Sequence, residues 1–163
     1  MNYSYKISLF AVLCSLLLTN CASDGTCRQT AAVSLGVEFY KSDFDMVQEQ
    51  YVYEPYTDTL TVFGLDNDSL LADNKNTREI YLPLKPLATQ STYIFVRKDL
   101  LPDTITFFYE NENNFISLEC GCLVFHRIKD IEHTFYNIDS VSVRNDFVAD
   151  DQTKNIRIYF KKR

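Results

Sequence analysis

Tryptophan is absent from the 163 residues, and glycine and proline are scarce, with four of each. The missing indole removes the best flat surface for stacking on sugars, leaving exposed tyrosines such as Tyr51, Tyr53 and Tyr56 to take that role. Neither a phosphate-cradling glycine loop, Gly-x-Ser-x-Gly nor His-Glu-x-x-His occurs. The two histidines, His126 and His133, read more naturally as solvated or hydrogen-bonded residues at strand ends than as bases. Basic charge is short: 16 Lys+Arg face 22 Asp+Glu, a net charge of −6, which excludes nucleic acid as a partner because phosphate neutralisation drives that binding. None of the 22 carboxylates is singled out as half of a glycosidase pair. Five cysteines do not make a disulfide scaffold, since a chain of this length buries enough surface to fold without one. What is present is 46% hydrophobic and 14% aromatic, a composition that folds, and the length fits one domain.

No run of 18 apolar residues exists, so no transmembrane helix is expected. The longest apolar stretch, Ile7 to Leu18, follows a single charged residue, Lys6, and spans about 18 Å as a helix against a hydrocarbon core of about 30 Å. A charged start, a short apolar core and small polar residues describe an export signal. The Leu18-Thr19-Asn20-Cys21 that follows resembles a bacterial lipobox, whose cysteine receives diacylglycerol before cleavage on its amino side. Asn20 stands where that pattern has Gly, Ala or Ser. The alternative is an ordinary secretory cut after Ala22. The expected organisation is therefore a signal peptide over 1–20, a short tether over 21–30 and a folded domain over 31–163. Loss of Lys6 leaves that domain more acidic still, and the sole basic cluster, Lys161-Lys162-Arg163, is too small to hold anionic headgroups, so the anchor would be lipid on Cys21.

With Cys14 discarded and Cys21 lipidated, Cys27, Cys120 and Cys122 remain. Export permits a disulfide from Cys27 to Cys120 or to Cys122, and the sequence leaves that choice open. A bridge between Cys120 and Cys122 would need a bend at Gly121, because residues two apart on a strand lie about 6.6 Å from each other. Two uses compete for this pair. With His126 they could form a redox or soft-metal module; alternatively Ile116, Leu118, Cys120, Cys122 and Val124 form one inward stripe of a buried strand.

Alternation dominates the remaining chain. Strands are expected at Ala31 to Phe39, Thr59 to Leu65, Glu79 to Leu82, Thr92 to Arg97, Thr104 to Tyr109, Phe115 to His126, Ser140 to Arg144 and Asn155 to Phe160. The polar run Glu110 to Asn114 reads as the tip of a hairpin, and only Ser42 to Gln50 and Arg127 to His133 could hold a helical turn. The expected fold is all-β, an antiparallel β-sandwich of about eight strands with Greek-key, immunoglobulin-like connections. Asp66, Asn67, Asp68, Asp73, Asp146, Asp150 and Asp151 supply hard oxygen ligands suited to calcium, in a spacing that matches no known loop; Asp and Asn also fill turns for backbone reasons.

Asp58-Thr-Leu-Thr-Val, Asp103-Thr-Ile-Thr-Phe and Asp139-Ser-Val-Ser-Val share a pattern, and Asp68-Ser-Leu repeats its start. Asp before a half-solvated strand explains it structurally. The triplets also resemble the O-glycosylation acceptor of exported Bacteroidetes proteins, which makes Thr59, Ser69, Thr104 and Ser140 candidates. Together with Ser34-Leu-Gly-Val-Glu-Phe-Tyr-Lys, Ile116-Ser-Leu-Glu-Cys-Gly-Cys and Asn155-Ile-Arg-Ile-Tyr-Phe behind the lipobox, the chain from Cys27 to Phe160 resembles a family of small uncharacterised Bacteroidetes lipoproteins. The resemblance implies a single all-β domain in the cell envelope, attached to the outer or inner membrane, and carries no catalytic residue or cofactor. The resulting expectation is a non-enzymatic binding or structural lipoprotein whose partner is an envelope protein or a glycan. A redox or metal module, and a calcium- or glycan-binding surface domain, are its alternatives.

Overall fold

The computed structural model describes residues 33–65, 70–117, 121–149 and 151–162. The signal, the tether, Cys21 and Cys27 lie outside those residues, as do Ser69 and Cys120. Eleven strands and no helix occur among the described residues: β1 (Ser34–Asp45), β2 (Gln50–Pro55), β3 (Asp58–Gly64), β4 (Leu70–Thr77), β5 (Glu79–Pro83), β6 (Gln90–Arg97), β7 (Asp103–Ser117), β8 (Gly121–His133), β9 (Ile138–Val143), β10 (Phe147–Val148) and β11 (Lys154–Phe160).

They form two mostly antiparallel sheets, consistent with a sandwich. One runs β2-β1-β11-β9, with β5 also on β1; the other runs β10-β8-β7-β6-β3-β4. The one parallel pairing joins β1 to β11, the first and last described strands. That approach needs a glycine: a Cβ on Gly36 would run into the Thr153 carbonyl oxygen. The Gly36 amide donates instead to buried Asn155 Oδ1 at 3.2 Å, and Asn155 Nδ2 donates to the Phe147 carbonyl at 2.8 Å. β1 is long enough to serve two neighbours on its other side, β5 along Ser34 to Glu38 and β2 along Tyr40 to Asp45.

Side chains two apart point the same way on a strand, and here they fill one core. Leu35, Val37 and Phe39 of β1 and Ile156, Ile158 and Phe160 of β11 meet Leu60, Val62, Phe95, Ile105 and Phe107 of the other sheet. Phe39 and Phe95 join the two layers edge to face, with ring centres 6.3 Å apart. Each such side chain contributes about 1.5–3 kcal/mol on leaving water.

The polar run Glu110 to Asn114 is a correction: it lies inside β7, not at a hairpin tip. Cross-strand partners on β8 satisfy it. Glu110 bonds Lys129 at 2.7 Å, Asn111 bonds His126 at 2.7 Å and Glu112 bonds Arg127 at 2.8 Å. Of the two stretches allowed a helical turn, one is extended throughout and the other only in part. Ser42 to Asp45 finishes β1, a turn follows whose Asp45 carboxylate accepts from the Val47 amide at 2.8 Å, and Arg127 to His133 belongs to β8. The inward stripe through Cys122 is overturned as well. Cys122 is exposed and Leu123 buried, because the register shifts between Phe115 and Ser117 and Gly121 adopts a left-handed φ of 69°.

Candidate binding surface

Successive side chains on a strand point to opposite faces, so the residues between the core positions of β1 and β11 emerge on the outer face of the β2-β1-β11-β9 sheet, where the mostly exposed edge strand β2 joins them. Register then decides which become neighbours. Phe44 lies opposite Tyr51, Ser42 opposite Tyr53 and Tyr40 opposite Pro55; across the parallel pairing, Tyr40 lies opposite Tyr159, which faces Ser140. The outcome is a tyrosine-rich band. Tyr53 and Tyr159 have ring centres 4.7 Å apart, Tyr159 and Tyr40 5.7 Å, and Phe44 and Tyr51 5.3 Å, with interplanar angles of 61°, 49° and 69°. The rings therefore form a twisted platform, not one plane. Tyr51 is 62% exposed and Tyr53 50%.

Charged side chains border the band as ion pairs. Arg157 lies over the Tyr40 ring at 4.6 Å and bonds Glu38 at 3.3 Å. Burial works against its charge, yet the hydrogen bond it donates to Glu38 and the neighbouring tyrosines hold its pKa above the ordinary value. Lys154 lies over Tyr81, bonds its hydroxyl and pairs with Glu79 at 3.1 Å; there too the partners outweigh burial and raise the pKa. Where β1 changes partner from β5 to β2, the sheet forks. A cleft of about 230 Å³ opens there, lined by Glu38, Phe39, Tyr40, Pro55, Arg78 and Glu79. Platform and cleft share Tyr40, so they are continuous.

The other sequence-derived candidates scatter. Tyr56 is not on the platform but half-buried beside Arg97, whose guanidinium lies 5.8 Å from its ring centre. Thr59, Thr104 and Ser140 are half-buried strand positions, and Ser140 lies on the tyrosine face. Asp73 is on β4, at one edge of its sheet, whereas Asp146 precedes β10 at the opposite edge and bonds Arg127 at 3.2 Å. Asp151 accepts from the Thr153 amide at 3.1 Å, and Asp66, Asn67, Asp68 and Asp150 lie outside the described residues. The structure brings no two of Asp73, Asp146 and Asp151 to one loop. Cys122 carries a free, exposed thiol, and its candidate partner Cys27 lies outside the described residues. His126 is elsewhere in the packing: it is 1% exposed, edge-on to Tyr109 and bonded through Nδ1 to Asn111. An exposed Cys122 and an enclosed His126 do not converge on a ligand. Tyr40, Phe44 and Tyr159 were missed. Only Tyr159 fell within an expected strand, since Tyr40 and Phe44 lie beyond Phe39, and nothing local shows that strands 119 residues apart pair.

Burial pushes the His126 pKa down to about 4. Above pH 6.5 the ring is neutral folded and unfolded, and its site is fully stabilising. Between 6.5 and about 4 the unfolded chain binds a proton that the folded chain refuses, so stability falls with pH, by up to about 3 kcal/mol at about 1.4 kcal/mol per pH unit. Urea midpoints of the wild type and His126→Gln at pH 7.5, 5.5 and 4.0 should diverge on acidification, with the wild type losing more. Parallel pH profiles would refute this assignment.

These features define a class: a two-sheet all-β domain with a tyrosine-rich outer face bordered by the Arg157–Glu38 and Lys154–Glu79 pairs. Residues 59–160 match the DUF6452 model, a family of unknown function, and the chain belongs to that family. No curated protein and no solved structure matches it.

Proposed function

We propose that this protein is a non-enzymatic cell-envelope lipoprotein, anchored through Cys21 and binding an envelope partner through the tyrosine-rich face. The observation that carries the anchor is Leu18-Thr19-Asn20-Cys21 directly behind a short apolar core that follows Lys6. Two or three acyl chains on one residue hold stably where one is marginal, since each buried methylene adds about 0.8 kcal/mol. The likeness of its segments to small Bacteroidetes lipoproteins supports the same reading. Export also permits an envelope disulfide from Cys27 to Cys120 or Cys122, with the exposed thiol of Cys122 favouring Cys120. The repeated passage of the chain between the two sheets, for instance from β2 to β3 and from β8 to β9, supports Greek-key connections.

Labelled palmitate fed to cells expressing the full chain decides the anchor. Wild type should be labelled and sediment with membranes, and Cys21→Ser should be unlabelled and soluble. An unlabelled wild type beginning at Ser23 would replace the anchor with ordinary secretion after Ala22.

A further inference from the structure

We infer that the tyrosine platform and the adjoining cleft receive an uncharged polysaccharide chain. The inference rests on the binding role proposed for this face and names its ligand. Three observations carry it.

The first is charge. The whole chain is acidic at −6, yet on this face Glu38 is matched by Arg157 and Glu79 by Lys154. An anionic ligand on the platform would have to compete with Glu38 and Glu79 for Arg157 and Lys154, leaving it Arg78 in the cleft, which has no ion pair among the described residues, and a cationic one would have to compete with Arg157 and Lys154 for their carboxylates. A neutral ligand with many hydroxyls disturbs neither pair and can accept from or donate to both. The second is the kind of apolar surface. The band is built from Tyr40, Tyr51, Tyr53, Tyr159 and Phe44, with no aliphatic side chain larger than Pro55 among their facing partners. Aromatic faces take the C–H side of a sugar ring, and the phenol hydroxyls and Ser140 and Ser142 serve its edge; Ser142 Oγ already lies 3.4 Å from the Tyr159 hydroxyl. The third is shape. The rings run in sequence across three strands, long enough for several sugar units, and end at a cleft of about 230 Å³. That is below the 300–1,000 Å³ typical of pockets for drug-sized ligands, and it suits one terminal or branching ring.

The test uses mature, lipidated protein in a detergent without a sugar headgroup. Native gels are cast with a soluble β-glucan, a xylan, an α-mannan, a dextrin or the anionic alginate. At least one neutral polysaccharide should retard the protein, with an accompanying change in tyrosine fluorescence, which no tryptophan obscures. Tyr53→Ala and Tyr159→Ala should each weaken retardation by about tenfold or more, while Tyr53→Phe keeps it. Phe115→Ala, an exposed aromatic on the other sheet, should match wild type. Melting temperatures of all variants confirm that they fold, and Tyr53 on the edge strand β2 is the substitution the fold tolerates most readily. Retardation by alginate alone, retardation indifferent to Tyr53 and Tyr159, or no retardation by any neutral polysaccharide overturns the inference. So does a face occupied instead by a second copy, seen as dimers that Tyr53→Ala disperses. The first three failures leave the anchored binding protein standing, whereas a self-occupied face would leave only the anchor. Reducing ends released from the retarding polysaccharide would do the reverse, ending the non-enzymatic reading while keeping glycan recognition.

Discussion

Asp58→Ala is expected to destabilise the domain by about 3–5 kcal/mol, the loss that follows when one partner of a buried ion pair is removed. Its partner, Arg97, is 2% exposed; Arg97 Nε donates to Asp58 Oδ2 at 2.6 Å, and the guanidinium lies 4.4 Å from the centre of the Phe160 ring. Without the carboxylate the cation stays enclosed among Phe160 and Tyr56 with no anion to offset its lost hydration. The Thr59 amide also loses an acceptor, Asp58 Oδ1 at 2.8 Å. For a domain of this size the melting temperature should fall by roughly ten degrees or more. The cost lies in the stranded charge, not in the absence of the pair. Hence Asp58→Ala combined with Arg97→Met should recover much of the loss, since a methionine fills the same apolar space uncharged. Circular dichroism during urea unfolding measures both. A single variant within 1 kcal/mol of wild type, or a double variant no better than the single, would show that Arg97 is not stabilised in the way its geometry indicates.

The strands that build the core were legible because burial on one face forces period-two alternation, as in Leu35-Val37-Phe39 or Ile156-Ile158-Phe160. Three strands were not. β2 and β4 are edge strands with solvent on most sides, so Gln50–Pro55 and Leu70–Thr77 carry no alternating apolar signal, and β10 is two residues long. The polar half of β7 misled for a related reason: a strand whose neighbours are charged side chains on the next strand looks like a loop in isolation. The candidate surface was half legible. Tyr51 and Tyr53 stood out as tyrosines in a polar context, but the platform needs Tyr40 and Tyr159, and they become neighbours only through the parallel pairing of β1 with β11. That pairing is closed by Gly36 and Asn155, two residues with no motif around them. Strand-preceding aspartates were read as local punctuation, yet all three described ones, Asp58, Asp103 and Asp139, reach much further.

Asp103 is the clearest of the three, and Asp103→Ala is expected to cost about 3–5 kcal/mol. The side chain is 1% exposed and accepts four hydrogen bonds from the connection that carries the chain from β8 to β9: Thr134 Oγ1 at 2.8 Å, the Tyr136 and Asn137 amides at 2.9 Å each, and Asn137 Nδ2 at 3.0 Å. Alanine orphans two main-chain donors at once, and an unsatisfied buried donor costs about 1–3 kcal/mol. The consequence spreads beyond one loop. Asn137 also donates through Nδ2 to the Leu101 carbonyl and accepts from the Lys161 amide at 2.9 Å, so the connection is tied to the start of β7 in one sheet and the end of β11 in the other. Asp103→Asn keeps the shape and one acceptor oxygen but turns an amide group towards donors, so it should fall between alanine and wild type, at about 1–3 kcal/mol. Urea unfolding of the three proteins, together with hydrogen exchange at Tyr136 and Asn137, separates this from a merely local effect. In Asp103→Ala those two amides should lose protection, and the end of β11 at Phe160 and Lys161 should loosen with them. If Asp103→Ala unfolds within 1 kcal/mol of wild type, or if β11 keeps full protection, the carboxylate is not what fastens the crossing between the sheets.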